Sequence, residues 1–190
     1  MIFFFRWAVC VVLDTYVNCV LVDSTEVVWR GQSVYLSIWD TAGQEDFDRI
    51  RQMSYNDVSM FFVCFSVVDS ITCENVRVRW LPEIRQHCPN AMIMLIGTKL
   101  DLRESGESDP TARRHAVSFE QGSALANEIG AVRYMECSAI SSLGVKAIFD
   151  TAVRCLMDEH AGHRANPTLV GSRRGTQSGG RDTRSKCILV

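Results

Sequence analysis

The chain has 190 residues, a formal net charge of −2 and 47% hydrophobic residues, enough for one domain with a sizeable core and a tail. That charge balance excludes a nucleic-acid binder acting through bulk positive charge. The eight cysteines are scattered and form no CxxC pair, which argues against a zinc site or a disulfide framework and fits a reducing compartment.

Met1 to Leu13 is strongly apolar. It has the look of a targeting segment, but Arg6 interrupts it, Asp14 ends it, no small-x-small cleavage pattern follows, and it is short for a bilayer span. The reading it supports is a buried strand, Trp7 to Leu13. Thr25–Trp29 and Ser33–Trp39 then read as an antiparallel pair joined through Arg30-Gly31-Gln32. At the tip of the second strand stands Asp40-Thr41-Ala42-Gly43-Gln44-Glu45. A carboxylate there can hold Mg²⁺ through water, Gly43 lets a backbone N–H approach a terminal phosphate, and Gln44 can orient a water. The same residues are ordinary turn formers, so the later stretches decide their weight.

Glu45 to Tyr55 reads as a charged loop and short helix, and Ser59 to Val67 as a buried strand. Ser70 to Cys88 is largely helical, with Pro82 marking a kink or break. An apolar strand from Met92 ends in Thr98-Lys99-Leu100-Asp101. An Asp at a strand tip can accept two hydrogen bonds from a guanine edge, and a Lys stem can lie across the base. Arg103 to Phe119 is polar, with Gly106 and Pro110, and reads as a loop or weak helix. Phe119 to Ile129 reads as a helix. Tyr134 to Ala139 is a strand ending in small residues, so Ser138 and Ala139 can present backbone N–H groups to a base carbonyl. From Ser142 to Glu159, Val145, Ile148, Phe149, Ala152, Val153 and Leu156 fall on one helix face. Strands alternating with helices predict an α/β fold in three layers, a mostly parallel central sheet with helices on both faces.

After Gly162 the composition turns to Gly, Ser, Thr and Arg, as in a flexible tail. Six of the 20 Lys/Arg and one of the 22 Asp/Glu lie from Arg164 onward, so the tail carries +5 and the body −7. The chain ends in Cys187-Ile188-Leu189-Val190, which reads as a prenylation signal. A prenyl group and a basic tail form a two-signal membrane anchor.

Taken together, these stretches resemble the Ras superfamily of small GTPases, the Rho/Rac branch most closely. The residues that carry the resemblance are Trp39 to Glu45, Phe47 to Arg51, Ser54-Tyr55, Cys64 to Ser66, Glu74 to Val76, Trp80, Pro82-Glu83, His87 to Asn90, Gly97 to Arg103, Glu128 to Val132 and Glu136 to Ala139. The likeness covers about Ser24 to Met157 and implies a switch that binds GTP or GDP with Mg²⁺ and hydrolyses GTP. It assigns Asp40 to Mg²⁺ through water, Gly43 to the γ-phosphate and Gln44 to the attacking water. Thr98, Lys99 and Asp101 would hold guanine, and Ser138 and Ala139 would bound the base. Implied partners are effectors, exchange factors and GTPase-activating proteins, at the cytoplasmic face of a membrane reached through lipidated Cys187; nucleic acid is not among them.

The resemblance lapses at the N-terminus. The family's phosphate loop, Gly-x4-Gly-Lys-[Ser/Thr], is absent, since the first Gly is Gly31 and the first Lys is Lys99. The helix after that loop is missing too, and the first-switch Thr falls near Asn18 or Cys19. The expected organisation is a divergent segment over 1–23 that contains the first strand, a GTPase-like domain over 24–160 and a basic tail over 161–190. Three readings stay open: a Rho-like GTPase whose N-terminus is incomplete here, a membrane-anchored pseudo-GTPase binding module with weak or no nucleotide binding, and an unstable remnant.

Overall fold

A computed structural model describes residues 5–13, 21–42, 48–55, 58–105 and 115–165. Six strands form one sheet: β1 (Phe5–Leu13), β2 (Leu21–Trp29), β3 (Gln32–Ala42), β4 (Met60–Ser66), β5 (Met92–Thr98) and β6 (Arg133–Glu136). Their order is β2-β3-β1-β4-β5-β6. Only the β2–β3 pair is antiparallel; each other neighbouring pair is parallel. Arg30 and Gly31, both at positive φ, make the tight hairpin turn between β2 and β3. The first strand begins at Phe5, two residues before the sequence places it.

Burial alternates cleanly along the central strands. Phe61, Val63 and Phe65 of β4 and Ile93 and Leu95 of β5 point to one face, where they pack with Val76, Trp80, Ile84, Leu125 and Ile129. Met60, Phe62 and Cys64, with Met94 and Ile96, point to the other and meet Ile148, Ala152, Val153 and Leu156. Both faces are apolar because both are covered by helices, as parallel sheets require. On the second face Val27, Trp29 and Ile38 are only partly buried, so cover thins toward β2 and β3.

The helices are α1 (Asp48–Met53), α2 (Ser70–Asn75), α3 (Leu81–His87), α4 (Leu100–Glu104), α5 (Phe119–Glu128) and α6 (Val145–Ala165). The interruption expected near Pro82 takes the form of a π-helical turn over Val76–Trp80 that joins α2 to α3. The Leu81 N–H reaches the Val76 carbonyl, one residue further than in an α-helix. This widening makes room for a ring that lacks an N–H, placed in the first turn of α3. Ser118 and Gln121 cap α5 reciprocally through side chain and backbone. The last helix starts at Val145, later than its apolar pattern suggests, and runs past Glu159 to Ala165. Its delay has a cause: Ser142 and Gly144 both take positive φ. Among the described residues no helix is long and apolar enough to cross a membrane.

Candidate functional site

The carboxyl ends of the parallel strands all open on one edge of the sheet, where α/β folds hold ligands. At the β5 tip the Thr98 hydroxyl donates to the Phe65 carbonyl at 3.0 Å, and the Thr98 carbonyl accepts from Val67 N–H at 3.0 Å. Thr98 therefore ties β5 to β4, a structural task for a residue that the sequence assigned to ligand. Lys99 follows in a left-handed conformation, φ 62° and ψ 37°, with its side chain exposed. Few non-glycine residues take such angles, and those that do cluster at ligand sites. Its carbonyl accepts from Leu102 N–H, which starts α4. Asp101 sits in the first turn of that helix, half-buried.

The β6 tip comes against this turn. Cys137 N–H donates to the Gly97 carbonyl at 2.8 Å, and Leu100 N–H donates to the Cys137 carbonyl at 3.1 Å. The Gly97–Asp101 and Cys137–Ala139 segments are thus joined by two backbone bonds. Ser138 is fully buried, its N–H donates to the Leu143 carbonyl at 3.0 Å, and its hydroxyl accepts from Ser141 N–H at 3.2 Å. Its N–H and its hydroxyl both serve its own turn, so the N–H that the sequence assigns to a base carbonyl is engaged with Leu143 here. Ala139 is the exposed member of the pair. Gly144 closes the turn at φ 76°, where a Cβ would strike the Glu136 carbonyl.

Asp40 lies on β3 in register with Val11, which pairs with Phe62, which pairs with Met94. It is three strand places from β5, about 14 Å sideways at ordinary strand spacing, and four register positions below Thr98. The fold therefore gathers Thr98, Lys99, Asp101, Ser138 and Ala139 in one corner and sets Asp40 apart along the same sheet. Gly43, Gln44 and Cys187 lie outside the described residues, as does 106–114, most of the polar stretch before α5. Among the described residues no group of three or more His, Cys, Asp or Glu could hold a metal ion.

One part of this corner escaped the sequence reading. Arg103 of α4 makes an ion pair with Glu136 at the end of β6. The signal was present as opposite charges at the outer ends of the Gly97–Arg103 and Glu136–Ala139 stretches, but only the fold shows that they meet.

The strand order has a consequence at the other end of the edge. β1 and β2 flank β3 and run in opposite directions, so both Leu13 and Leu21 sit at the carboxyl end of β3. They are two strand spacings apart, about 10 Å, within the reach of the seven residues between them, which lie outside the described residues. Those seven, 14–20, contain no Gly, Lys or Arg. The family model described as "Ras family" matches residues 13–158.

Proposed function

The chain belongs to the Ras family, and from that premise we propose that it is a Rho-type, membrane-anchored switch that recognises guanine through its β5 and β6 tips and hydrolyses GTP weakly or not at all. Members of the family are small GTPases that bind GTP or GDP with Mg²⁺. The observation that carries the reading is the junction of Leu100 N–H with the Cys137 carbonyl, which brings the Lys99–Asp101 turn against the Ser138–Ala139 turn. In this corner Asp101 would accept from the two N–H groups of the guanine edge, the Lys99 stem would cover one face of the ring, and the exposed Ala139 turn would meet the base carbonyl.

The phosphate end supports the second half of the proposal. Cradling phosphates takes backbone N–H groups in a glycine loop and a cation. The β1–β2 connection supplies neither glycine nor cation. Loss of three charge-assisted hydrogen bonds, at ~1.5–3 kcal/mol each, weakens binding by well over ~10³-fold. Without that positioning Gln44 has little to act on, because phosphoryl transfer is mainly placement and charge stabilisation. The same deficit favours a second reading, a pseudo-GTPase module that works through partner contacts at Glu45–Tyr55, the stretch that resembles the second switch. The residues that resemble the Rho/Rac branch, among them Trp80, Pro82-Glu83 and His87 to Asn90, support effectors, exchange factors and GTPase-activating proteins as partners.

The test is guanosine, GDP and GTP binding to the full chain by calorimetry, alongside single-turnover GTP hydrolysis. Selective but weak guanosine binding is expected, with turnover no faster than buffer. Sub-micromolar, Mg²⁺-dependent GTP binding would overturn the weak-phosphate reading, and no binding of guanosine at millimolar concentration would overturn the base site. For the anchor, Cys187→Ser should release the protein from membrane fractions; unchanged association would defeat prenylation as its basis.

A further inference from the structure

We infer that Arg103 and Glu136 form a positioning clamp that holds the Lys99–Asp101 turn and the Ser138–Ala139 turn at the separation a purine needs. The inference rests on the guanine reading above and adds two residues that touch no ligand in it.

The clamp starts from a weakness in the sheet. β6 has four residues at the edge of the sheet, and its pairing with β5 ends at Gly97 with Glu136. Beyond Glu136 the chain leaves the ladder two residues before Ser138. Arg103 lies two residues beyond Asp101, on the helix that Lys99 opens. Its Nη1 donates to Glu136 Oε1 at 2.8 Å and its Nη2 to Oε2, a two-pronged pair that fixes direction as well as distance. The same Nη1 donates to the Val117 carbonyl at 2.8 Å, which brings in the segment before α5. Tyr134 completes the carboxylate's shell, its hydroxyl donating to Glu136 Oε1 at 2.7 Å. The Glu136 side chain is 8% exposed and that of Arg103 23%, so water screens the pair little.

Room for the network is built into β5. A Cβ on Gly97 would stand 2.8 Å from the Tyr134 hydroxyl and 3.2 Å from Glu136 Cγ. The pair thus sits where the ladder gives out, with one end on each candidate base-holding segment. A bidentate guanidinium is the suitable partner, because a lysine would keep the charge and lose the fixed angle.

The experiment uses the full chain with Arg103→Met, Arg103→Lys and Glu136→Gln. Three quantities are read: amide hydrogen exchange at Leu100 and Cys137, affinity for guanosine, and the ratio of guanosine to inosine affinity. Inosine lacks the amino group that Asp101 would bind, so the ratio reports the placement of Asp101 rather than general stability. In Arg103→Met, exchange at Leu100 and Cys137 should rise about 10-fold or more while β4 amides keep their protection, guanosine should bind about 10-fold more weakly, and the ratio should fall toward one. Arg103→Lys should be intermediate, and serves as the test if the larger changes unfold the chain. Unchanged exchange at the two amides, or an unchanged ratio in a protein that binds guanosine, would overturn the clamp. If the unmodified chain binds no guanosine, the proposed function falls, and the exchange data alone decide whether Arg103 holds the two turns together.

Discussion

Lys99 holds a left-handed conformation that costs a residue with a Cβ roughly 1–2 kcal/mol. Lys99→Gly should therefore stabilise the fold by up to about 1 kcal/mol while weakening guanosine binding, since the stem that would cover the ring is gone. Thermal melting and calorimetry on one variant check both signs; stabilisation with undiminished binding would remove Lys99 from the site. Asp101→Asn exchanges an acceptor for a mixed donor and acceptor, so preference should move from guanine toward xanthine, whose edge carries a carbonyl in place of the amino group. Tyr134 offers a pH test. Burial, then donation to the Glu136 carboxylate, holds its phenol protonated above the usual range. A tyrosine in the unfolded chain loses its proton near pH ~10, so this contribution to stability is present below that pH and fades as pH rises beyond it. Tyr134→Phe should flatten the fall in melting temperature above pH ~10. At this scale the motif residues are legible by their spacing in the sequence, and the fold brings Thr98, Lys99, Asp101, Ser138 and Ala139 to one corner. Thr98 and Ser138 spend their polar groups on the fold, which spacing alone does not reveal.

Between elements, α1 and the turn after it are tied to α3 through one carboxylate. Arg51, 1% exposed, donates to both Glu83 oxygens at 2.9 and 2.8 Å and lies over the Trp80 ring. Tyr55 donates to the same carboxylate at 2.7 Å. Glu83→Ala removes the carboxylate facing a buried guanidinium and should cost about 3 kcal/mol or more in a denaturant titration. A loss below ~1 kcal/mol would mean that the pair is screened as a surface pair is. The sequence foretold an interruption at Pro82 but not its form. A π turn and a kink both accommodate a missing N–H, and the choice depends on packing of Val76 and Trp80 into the core. The start of α6 was misplaced for a similar reason: apolar periodicity runs through the turn that Ser142 and Gly144 break with backbone angles.

For the molecule as a whole, the mostly parallel sheet and its two covered faces follow from features the sequence displays: apolar central strands, one tight hairpin, and helices between strands. What it did not display is how the sheet would close after β1. Because β1 and β2 meet at the same end of β3, a seven-residue link suffices, and the six-stranded sheet forms with a connection that has neither the glycines nor the lysine of a phosphate loop. In the proposed reading, base recognition at β5–β6 is separable from phosphate recognition after β1, because the two lie at different places along the sheet. Amide chemical-shift mapping of the full chain during titration with GTP and Mg²⁺ tests this separation directly. Shifts confined to Leu100–Arg103 and Cys137–Ile140 are expected, with Thr41 and Ala42 unmoved; saturable shifts at Thr41 and Ala42 matching those at Leu100 would contradict it.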